Sequence, residues 1–568
     1  MNWKRWSLLL ALIMVMSLFL AACSGDEKGE EKEEDTPDKT EDQAEEKPED
    51  DGEAKDDTDQ MLNVNIRSEP PSLHPGIATD TTSGAVLNQT FEGLMRVNQQ
   101  SEIEAAMAES YEMSDDGLTY TFKIRQDAKW SNGDPVTAKD FEYAWKWVLN
   151  PANVETDYAY QLYMIKGAEA AKEEELEEGE ESTLLDDVAI KAEDDHTLVV
   201  ELEQPTAYFL ELTAFYTFFP VNHKVVDGND DWAQDMSDNY VTNGPFLMET
   251  WKHKDKVVLK KNPDYWDADK VQLETINMFM IEDENTAKQM YDKDELDWLG
   301  SPTDSIPLAA IPAYKSEGVL NISPLAGVYY YAFNTEEAPF DNVNIRKAFA
   351  SAIDREGIVT NITQGEQQPA MALVPPSIFE ENSTGYFKDN DGDEAKKYLE
   401  KGLEELGLDE LPAVKLSYNT SEAHGAIAQA VQDMWKNNLG VEVELHNEEW
   451  GVYLDSMGAG DFQVGRMGWL ADFNDAINFL EIFETVGGNN YTNWENADYQ
   501  DLLEKSRAET DVDAREDMLR QAEDIFMEEL PSSPVYFYTN VWTNKEYVKN
   551  IEVSPLGLVQ YKWAYIEK

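Results

Sequence analysis

The sequence predicts an α/β fold of mixed sheets flanked by helices, and three observations carry that prediction. One segment reads strand–helix–strand with short links, two others alternate apolar and polar residues, and no repeat of roughly 20–50 residues is visible. Leu62, Val64 and Ile66 alternate with polar neighbours and predict a half-buried opening strand; Leu118, Tyr120, Phe122 and Ile124 repeat the pattern. Thr137 and Asp140 have capping-box spacing, and Phe141, Ala144, Trp145 and Val148 then mark one helical face that ends before Pro151. The segment 413–445 is the clearest unit. Val414, Leu416 and Tyr418 read as a strand, Ser421 opens a helix with Ile427, Val431, Met434 and Trp435 inward, Gly440 ends it, and Val441, Val443 and Leu445 return as a strand. Short links on either side of a helix make this a βαβ unit with parallel strands. Phe462–Arg466 reads as a further strand, and Ala476, Phe479, Leu480 and Phe483 line a further helix, while the acidic run Glu173–Glu181 reads as an exposed insertion.

Composition bounds the function. The 568 residues carry 115 acids against 45 bases, a net charge of −70, which excludes an unassisted nucleic-acid binder because phosphates would be repelled. Eleven percent aromatic residues, including 15 Trp, supply enough apolar mass for a large core. Length alone predicts about three or four structural units. A single Cys excludes a disulfide framework and any multi-Cys metal site.

That Cys falls where a lipid anchor needs it. Lys4 and Arg5 precede the apolar run Leu8–Leu20, too short for a comfortable bilayer span, and the stretch closes with Leu20-Ala-Ala-Cys23, which resembles a bacterial lipobox. Residues 1–22 are therefore expected to be a signal peptide and Cys23 an acylated first residue of the mature chain, anchored to the membrane. From Asp26 to Asp59 there are 19 acids, five Lys and almost no apolar residues, so 23–59 predicts a lipidated, solvated acidic tether. The tether's net −14 leaves about −58 on the rest, which reads as a solubility or habitat adaptation.

Reaction signatures are absent. The six His, at 74, 196, 223, 253, 424 and 446, form no H-E-x-x-H pair, and no nucleophile elbow, phosphate loop or dinucleotide fingerprint occurs. No catalytic residue, metal site or cofactor is predicted. The candidate binding segment is Arg466-Met-Gly-Trp-Leu-Ala-Asp-Phe473, read as leaving a strand's carboxyl end toward a helix, where open α/β sheets form crevices. Gly468 would admit a close backbone approach, Trp469 offers a flat apolar wall, and Asp472 offers one charge. Asp472 either meets a cation such as an α-ammonium or caps the following helix, a task Asn474 could also perform.

From Leu62 onward the chain resembles the peptide/nickel type of extracellular solute-binding protein, family 5, that serves oligopeptide ABC importers. The resemblance is spread over Ser68-Glu-Pro-Pro-Ser-Leu-His-Pro75, Phe91-Glu-Gly-Leu94, the stretch from Leu118 to Gly133, Asp134-Pro-Val-Thr-Ala-Lys-Asp-Phe141, Thr242-Asn-Gly-Pro-Phe246, Tyr331-Ala-Phe-Asn334, Pro339-Phe340, Ile345-Arg-Lys-Ala348 and Ala352-Ile-Asp-Arg355. It implies a periplasmic-binding-protein-like fold with an extra domain, hence three lobes: lobe I in 60–91, 217–325 and 535–568, lobe II in 92–216 and lobe III in 326–534, with hinges around Pro220 and Pro534. By the same resemblance Asp472 receives a peptide's α-ammonium, and Thr79, Asp80 and Thr81 pair backbone with the peptide as an added strand. The strand on the other side would come from Arg466–Leu470, with Gly468 and Leu470 as backbone contacts. Tyr158, Trp450 and Trp469 would form cleft walls, and His424 and Arg466 would act as cations at the peptide's carboxylate end. His74, Met457 and Gly300-Ser301 depart from the family pattern, where relatives carry Asp, a carboxylate-binding Arg and an Asn-rich stretch. The implied protein is a monomer that captures oligopeptides by lobe closure on the outer face of the cell membrane and delivers them to ABC permease subunits served by separate ATPase subunits. A receptor dedicated to signalling or cell-wall peptides is the alternative within the class; a secreted hydrolase or a surface adhesin is the alternative outside it.

Overall fold

The computed structural model describes residues 60–568 except 178, 179 and 230. The expected signal peptide, Cys23 and the acidic tether lie outside the described residues. Three larger sheets organise the described chain. The first runs in the order Met61–Asn65, Thr275–Phe279, Lys256–Lys261 and Phe246–Lys252, the opening pair parallel and the rest antiparallel. Val64 pairs with Met278, and the apolar positions of both strands are buried, as the alternation at Leu62, Val64 and Ile66 requires. The second sheet is antiparallel, in the order Ala108–Met113, Thr119–Ile124, Thr197–Glu201 and Ile190–Asp194. Against it packs the helix Ala138–Leu149, whose Asp140 carboxylate accepts from Thr137 N at 2.7 Å; Phe141, Ala144, Trp145 and Val148 are its buried face.

The third sheet is mixed and positions the site. Its order is Trp298–Gly300, Ser532–Asn544, Asn321–Phe333, Val464–Leu470, Val414–Asn419 and Val443–Glu448, with Gln368–Pro369 paired to Ser532–Asn544. Val414–Asn419 and Val443–Glu448 are parallel, joined by the helix Glu422–Leu439, so the βαβ unit stands as read. Ser421 caps that helix and Gly440 ends it at φ 73°, the left-handed region glycine adopts without penalty. Its inner face meets a cluster containing Trp435, Phe349, Tyr329 and Tyr331.

Two boundaries differ from the sequence reading. The strand expected over Phe462–Arg466 runs over Val464–Leu470, because antiparallel pairing with Asn321–Phe333 holds it from Phe333↔Val464 to Gly327↔Leu470. The helix expected beyond Ala476 is short, Ile477–Leu480, followed by a single 3-10 turn, Glu481–Phe483. Pro534, expected near a hinge, lies inside the continuous strand Ser532–Asn544. Among the described residues, no helix is long and apolar enough to cross a membrane.

A fork in the third sheet matters most. Val414–Asn419 pairs with Val464–Leu470 only at Leu416↔Val464 and Ser417↔Gly465, after which the two strands part. Tyr453, fully buried on the helix Trp450–Gly458, sits at the fork: its hydroxyl is 2.7 Å from Arg466 O and 3.3 Å from Ser417 O. Tyr453→Phe removes the donor both carbonyls share. The expected cost is roughly 1–3 kcal/mol, read as a lowered urea midpoint at unchanged slope.

Candidate ligand-binding site

Beyond the fork, Val464–Leu470 has one free edge. Asn334 N donates to Gln463 O at 3.0 Å and Ala471 N to Ala326 O at 2.9 Å, so the odd-numbered residues turn their backbone toward Asn321–Phe333. Backbone direction alternates along an antiparallel strand, so Arg466, Gly468 and Leu470 turn theirs the other way. No strand among the described residues meets that edge past Gly465. It borders a cavity of about 350 Å³, lined by all eleven residues expected at a peptide site: Thr79, Asp80, Thr81, Tyr158, His424, Trp450, Arg466, Gly468, Trp469, Leu470 and Asp472.

Asp472 retains partial exposure, and it faces this cavity. Its Oδ2 accepts from Gln161 Nε2 at 2.8 Å and Asn478 Nδ2 at 3.5 Å, and Tyr158 also reaches it. Among the described residues it has no cationic partner. Burial pushes its pKa up to about 7, against the pull of those three donors. It does not cap the helix that follows, whose N-cap residue is Ala476; Asp475 Oδ1 accepts from Ile477 N at 2.9 Å, and Asn474 N donates to Glu211. Tyr158 is buried edge-on to Trp469, ring centroids 6.3 Å apart; burial and then the charge of Asp472 hold its pKa well above the usual value, so it remains a donor.

Arg466 is the opposite charge, six residues back, on the strand Val464–Leu470 that ends just before Asp472. Its Nη2 donates to the Tyr538 hydroxyl at 2.6 Å, its Nη1 to Asn419 Oδ1 at 3.3 Å, and the guanidinium lies 4.6 Å from the centre of the Tyr329 ring. Its Nε is buried without a partner, and no carboxylate among the described residues pairs with it. His424, expected as a second cation, is neutral. Burial, then Arg466 and Arg67, hold its pKa well below the usual value, and its Nδ1 has no partner. It can exchange hydrogen bonds with a ligand but adds no charge.

Facing the strand edge, Asp80 caps the helix Thr81–Thr90, its Oδ1 accepting from Thr82 N at 2.9 Å and Ser83 N at 3.1 Å. The carboxylate is thereby engaged, and at Asp80, just before the helix begins, the backbone that borders the cavity is extended, φ −125° and ψ 158°. Trp450 is half-buried and its indole reaches Asp80. Trp469 is both wall and core: it lines the cavity while its Nε1 donates to Asn478 Oδ1 at 3.1 Å.

Gly468 has a different reason to be glycine than the one expected. A Cβ there would lie 2.5 Å from the Tyr538 hydroxyl, so the space admits Tyr538, and through it Arg466, rather than a ligand. Met457 is 1% exposed and packed against Gly465, away from the cavity. His74 is buried against Trp147, accepts from Gly76 N at 3.0 Å, and is neutral, burial lowering its pKa to about 3. Sequence reasoning missed Gln161, Asn478 and Tyr538. Gln161 stands three residues after Tyr158, one full turn of the 3-10 helix Asp157–Leu162, which puts both on one face. Nothing local marks the other two.

Comparison with known proteins places the chain. Residues 102–491 match the family model described as bacterial extracellular solute-binding proteins, family 5 Middle. The chain belongs to that family. It is 52% identical over 572 residues to the oligopeptide-binding protein OppA of Bacillus subtilis, covering 99% of this chain and 100% of that one. Among solved structures it is similar to Haemophilus influenzae OppA in complex with the peptide RPPGFSPFR (31% identity, 90% and 99% coverage, TM-score 0.82). It is equally similar to the Escherichia coli murein tripeptide binding protein MppA (31% identity, 90% and 99% coverage, TM-score 0.82). The α/β architecture with sheets flanked by helices is thus that of the periplasmic binding proteins. The unliganded open form of MppA matches this family 5 chain less well, at a TM-score of 0.61 over 89% of it and 97% of MppA. The described arrangement is therefore unlike that open form.

For a family 5 protein, an unpaired buried acid in the cavity carries a stability cost. Asp472 has a folded pKa near 7 and an ordinary one when unfolded, so its ionisation destabilises the fold progressively from about pH 4 to pH 7 and by a constant amount above. Asp472→Asn removes that cost. The difference in unfolding free energy between variant and parent should rise over that window to on the order of 4 kcal/mol in favour of Asn at pH 8, measured by denaturant titration without ligand.

Proposed function

We propose that this chain captures oligopeptides between closing lobes and hands them to an ABC permease. The observation that carries this reading is a mostly buried carboxylate and a buried guanidinium, neither with a counter-ion among the described residues, facing one cavity near the two ends of an unpaired strand edge. A zwitterionic chain in extended conformation supplies what each lacks. Its α-ammonium meets Asp472, its carboxylate meets Arg466 with His424 as a neutral hydrogen-bonding neighbour, and its backbone adds as a strand between Gly468–Leu470 and Thr79–Thr81. Main-chain bonding gives affinity without reading side chains, and waters bridging polar pocket groups to varied side chains preserve tolerance.

The name of the Bacillus relative and the peptide bound in the Haemophilus structure support the same ligand class. Lobe I comprises 60–91, 217–325 and 535–568, lobe II 92–216 and lobe III 326–534 in this reading, and closure excludes bulk water from both charges. The protein works as a monomer held at the outer membrane face by acylated Cys23, uses no cofactor, and leaves the peptide intact; ATP is hydrolysed by separate subunits of the importer.

Calorimetry with mixed tri- to pentapeptides should show binding to nearly all of them. Amino-terminal acetylation, or Asp472→Ala, should weaken it by roughly two to three and a half decades, because one member of a buried pair is left alone. Equal affinity for free and acetylated peptides would overturn the ammonium contact. The pH dependence follows from the same group. Below pH 7 Asp472 must first release a proton, so affinity should fall by about tenfold per unit, and it should fall again above about pH 8 as the ammonium is lost. Cys23→Ala should shift the protein from the membrane fraction to the medium.

A further inference from the structure

The cavity holds a second acid without a counter-ion among the described residues. Asp304 follows Trp298–Gly300, its N–H donating to Gly300 O at 3.1 Å. Asp304 is 7% exposed and lines the cavity; Oδ1 accepts from Ser305 N at 2.8 Å and Asn65 also reaches the carboxyl, but Oδ2 is buried with no donor within hydrogen-bond distance. The nearest cation is engaged elsewhere. Arg67 donates from Nη1 to Ser305 Oγ at 2.6 Å and from Nη2 to Thr420 O at 3.3 Å, and Nη2 pairs with Glu284 Oε1 at 3.2 Å. Glu284 Oε1 also accepts from Ser421 Oγ at 2.9 Å and Glu422 N at 3.2 Å, while its Oε2 is buried without a donor. His424 beside them is neutral. One guanidinium thus serves the carboxyls of both Asp304 and Glu284, and burial lifts Asp304 to about 7 although Arg67 pulls it down.

The position of this corner follows from its hydrogen bonds: Arg67 joins Ser305 to Thr420 O, and the preceding residue, Asn419, accepts from Arg466 Nη1 at 3.3 Å. Asp304 therefore stands at the Arg466 end of the cavity. We propose that Asp304 receives the Lys or Arg side chain of a bound peptide at a position toward the peptide's carboxyl end. This rests on the peptide reading above and adds a side-chain preference that backbone pairing cannot supply. A cationic side chain gives Oδ2 its missing donor and neutralises the excess acid; an apolar side chain of the same length leaves both unmet.

The test is a positional scan by calorimetry. Tetra-alanine peptides carry Lys, norleucine or Nε-acetyllysine at one position each. The expected result is Lys binding about tenfold or more tightly than either neutral analogue at the third or fourth position, with that ratio collapsing toward one in the near-isosteric Asp304→Asn. The two analogues test the wild-type protein directly, whatever the variant does to folding. A ratio near one at every position, a ratio that survives Asp304→Asn, or a preference confined to the first position would each overturn the assignment. If the peptides all bind alike, only this assignment falls. If none binds, the peptide reading falls and takes it along.

Discussion

A carboxylate turned into a cavity and held there by dipoles alone is the constraint around which this molecule is arranged. Asp472 accepts from Gln161, Asn478 and Tyr158, all neutral donors, and burial still outweighs them. Neutral donors fix the direction of a carboxylate without cancelling its charge, so the group stays oriented and electrostatically unsatisfied. A structural acid in this fold is held the same way: Glu523, fully buried, accepts from Leu373 N, Val374 N and Asn382, and burial raises its pKa too, but it does not line the cavity. What separates the two is the 350 Å³ of space in front of Asp472.

The other parts of the site make sense relative to that charge. Arg466 repeats the scheme with opposite sign, cradled by Tyr329 and Tyr538 rather than by an acid. Gly468 lets Tyr538 approach closely enough to hold it. Tyr453 wedges the sheet open at the point where the strand edge must become free. Each of these groups costs stability or restricts sequence where it stands, and each does so next to the cavity. That is the pattern expected when local consistency is given up for binding.

How much of this is legible in the sequence depends on how far apart the interacting residues lie in the chain. The βαβ unit at 414–448 is fully readable, because its cap at Ser421, its stop at Gly440 and its periodicity are all local. The strand ending at Leu470 is not: its last four residues are held by Asn321–Phe333, well over a hundred positions earlier, and Gly468 argues locally for an earlier stop. Asp472 can be singled out by residue type and by resemblance, yet its alternative as a helix cap stays open until the following helix is seen to begin at Ile477 after Ala476, out of its reach. Its partner Gln161 is 311 positions away. The neutral state of His424 is hidden for the same reason, since Arg67 and Arg466, which help to hold it neutral, come from distant segments.

The ionisation of one side chain decides between this picture and its rivals. A carbon-13 NMR titration of the Asp472 carboxyl, assigned by comparison with Asp472→Asn, reads it with and without a saturating tripeptide. The free protein should titrate near pH 7, and saturation should bring the carboxyl back to or below the ordinary range for an aspartate, as a buried ammonium arrives beside it. An ordinary value in the free protein, or a raised value that saturation leaves unmoved, would contradict the central claim.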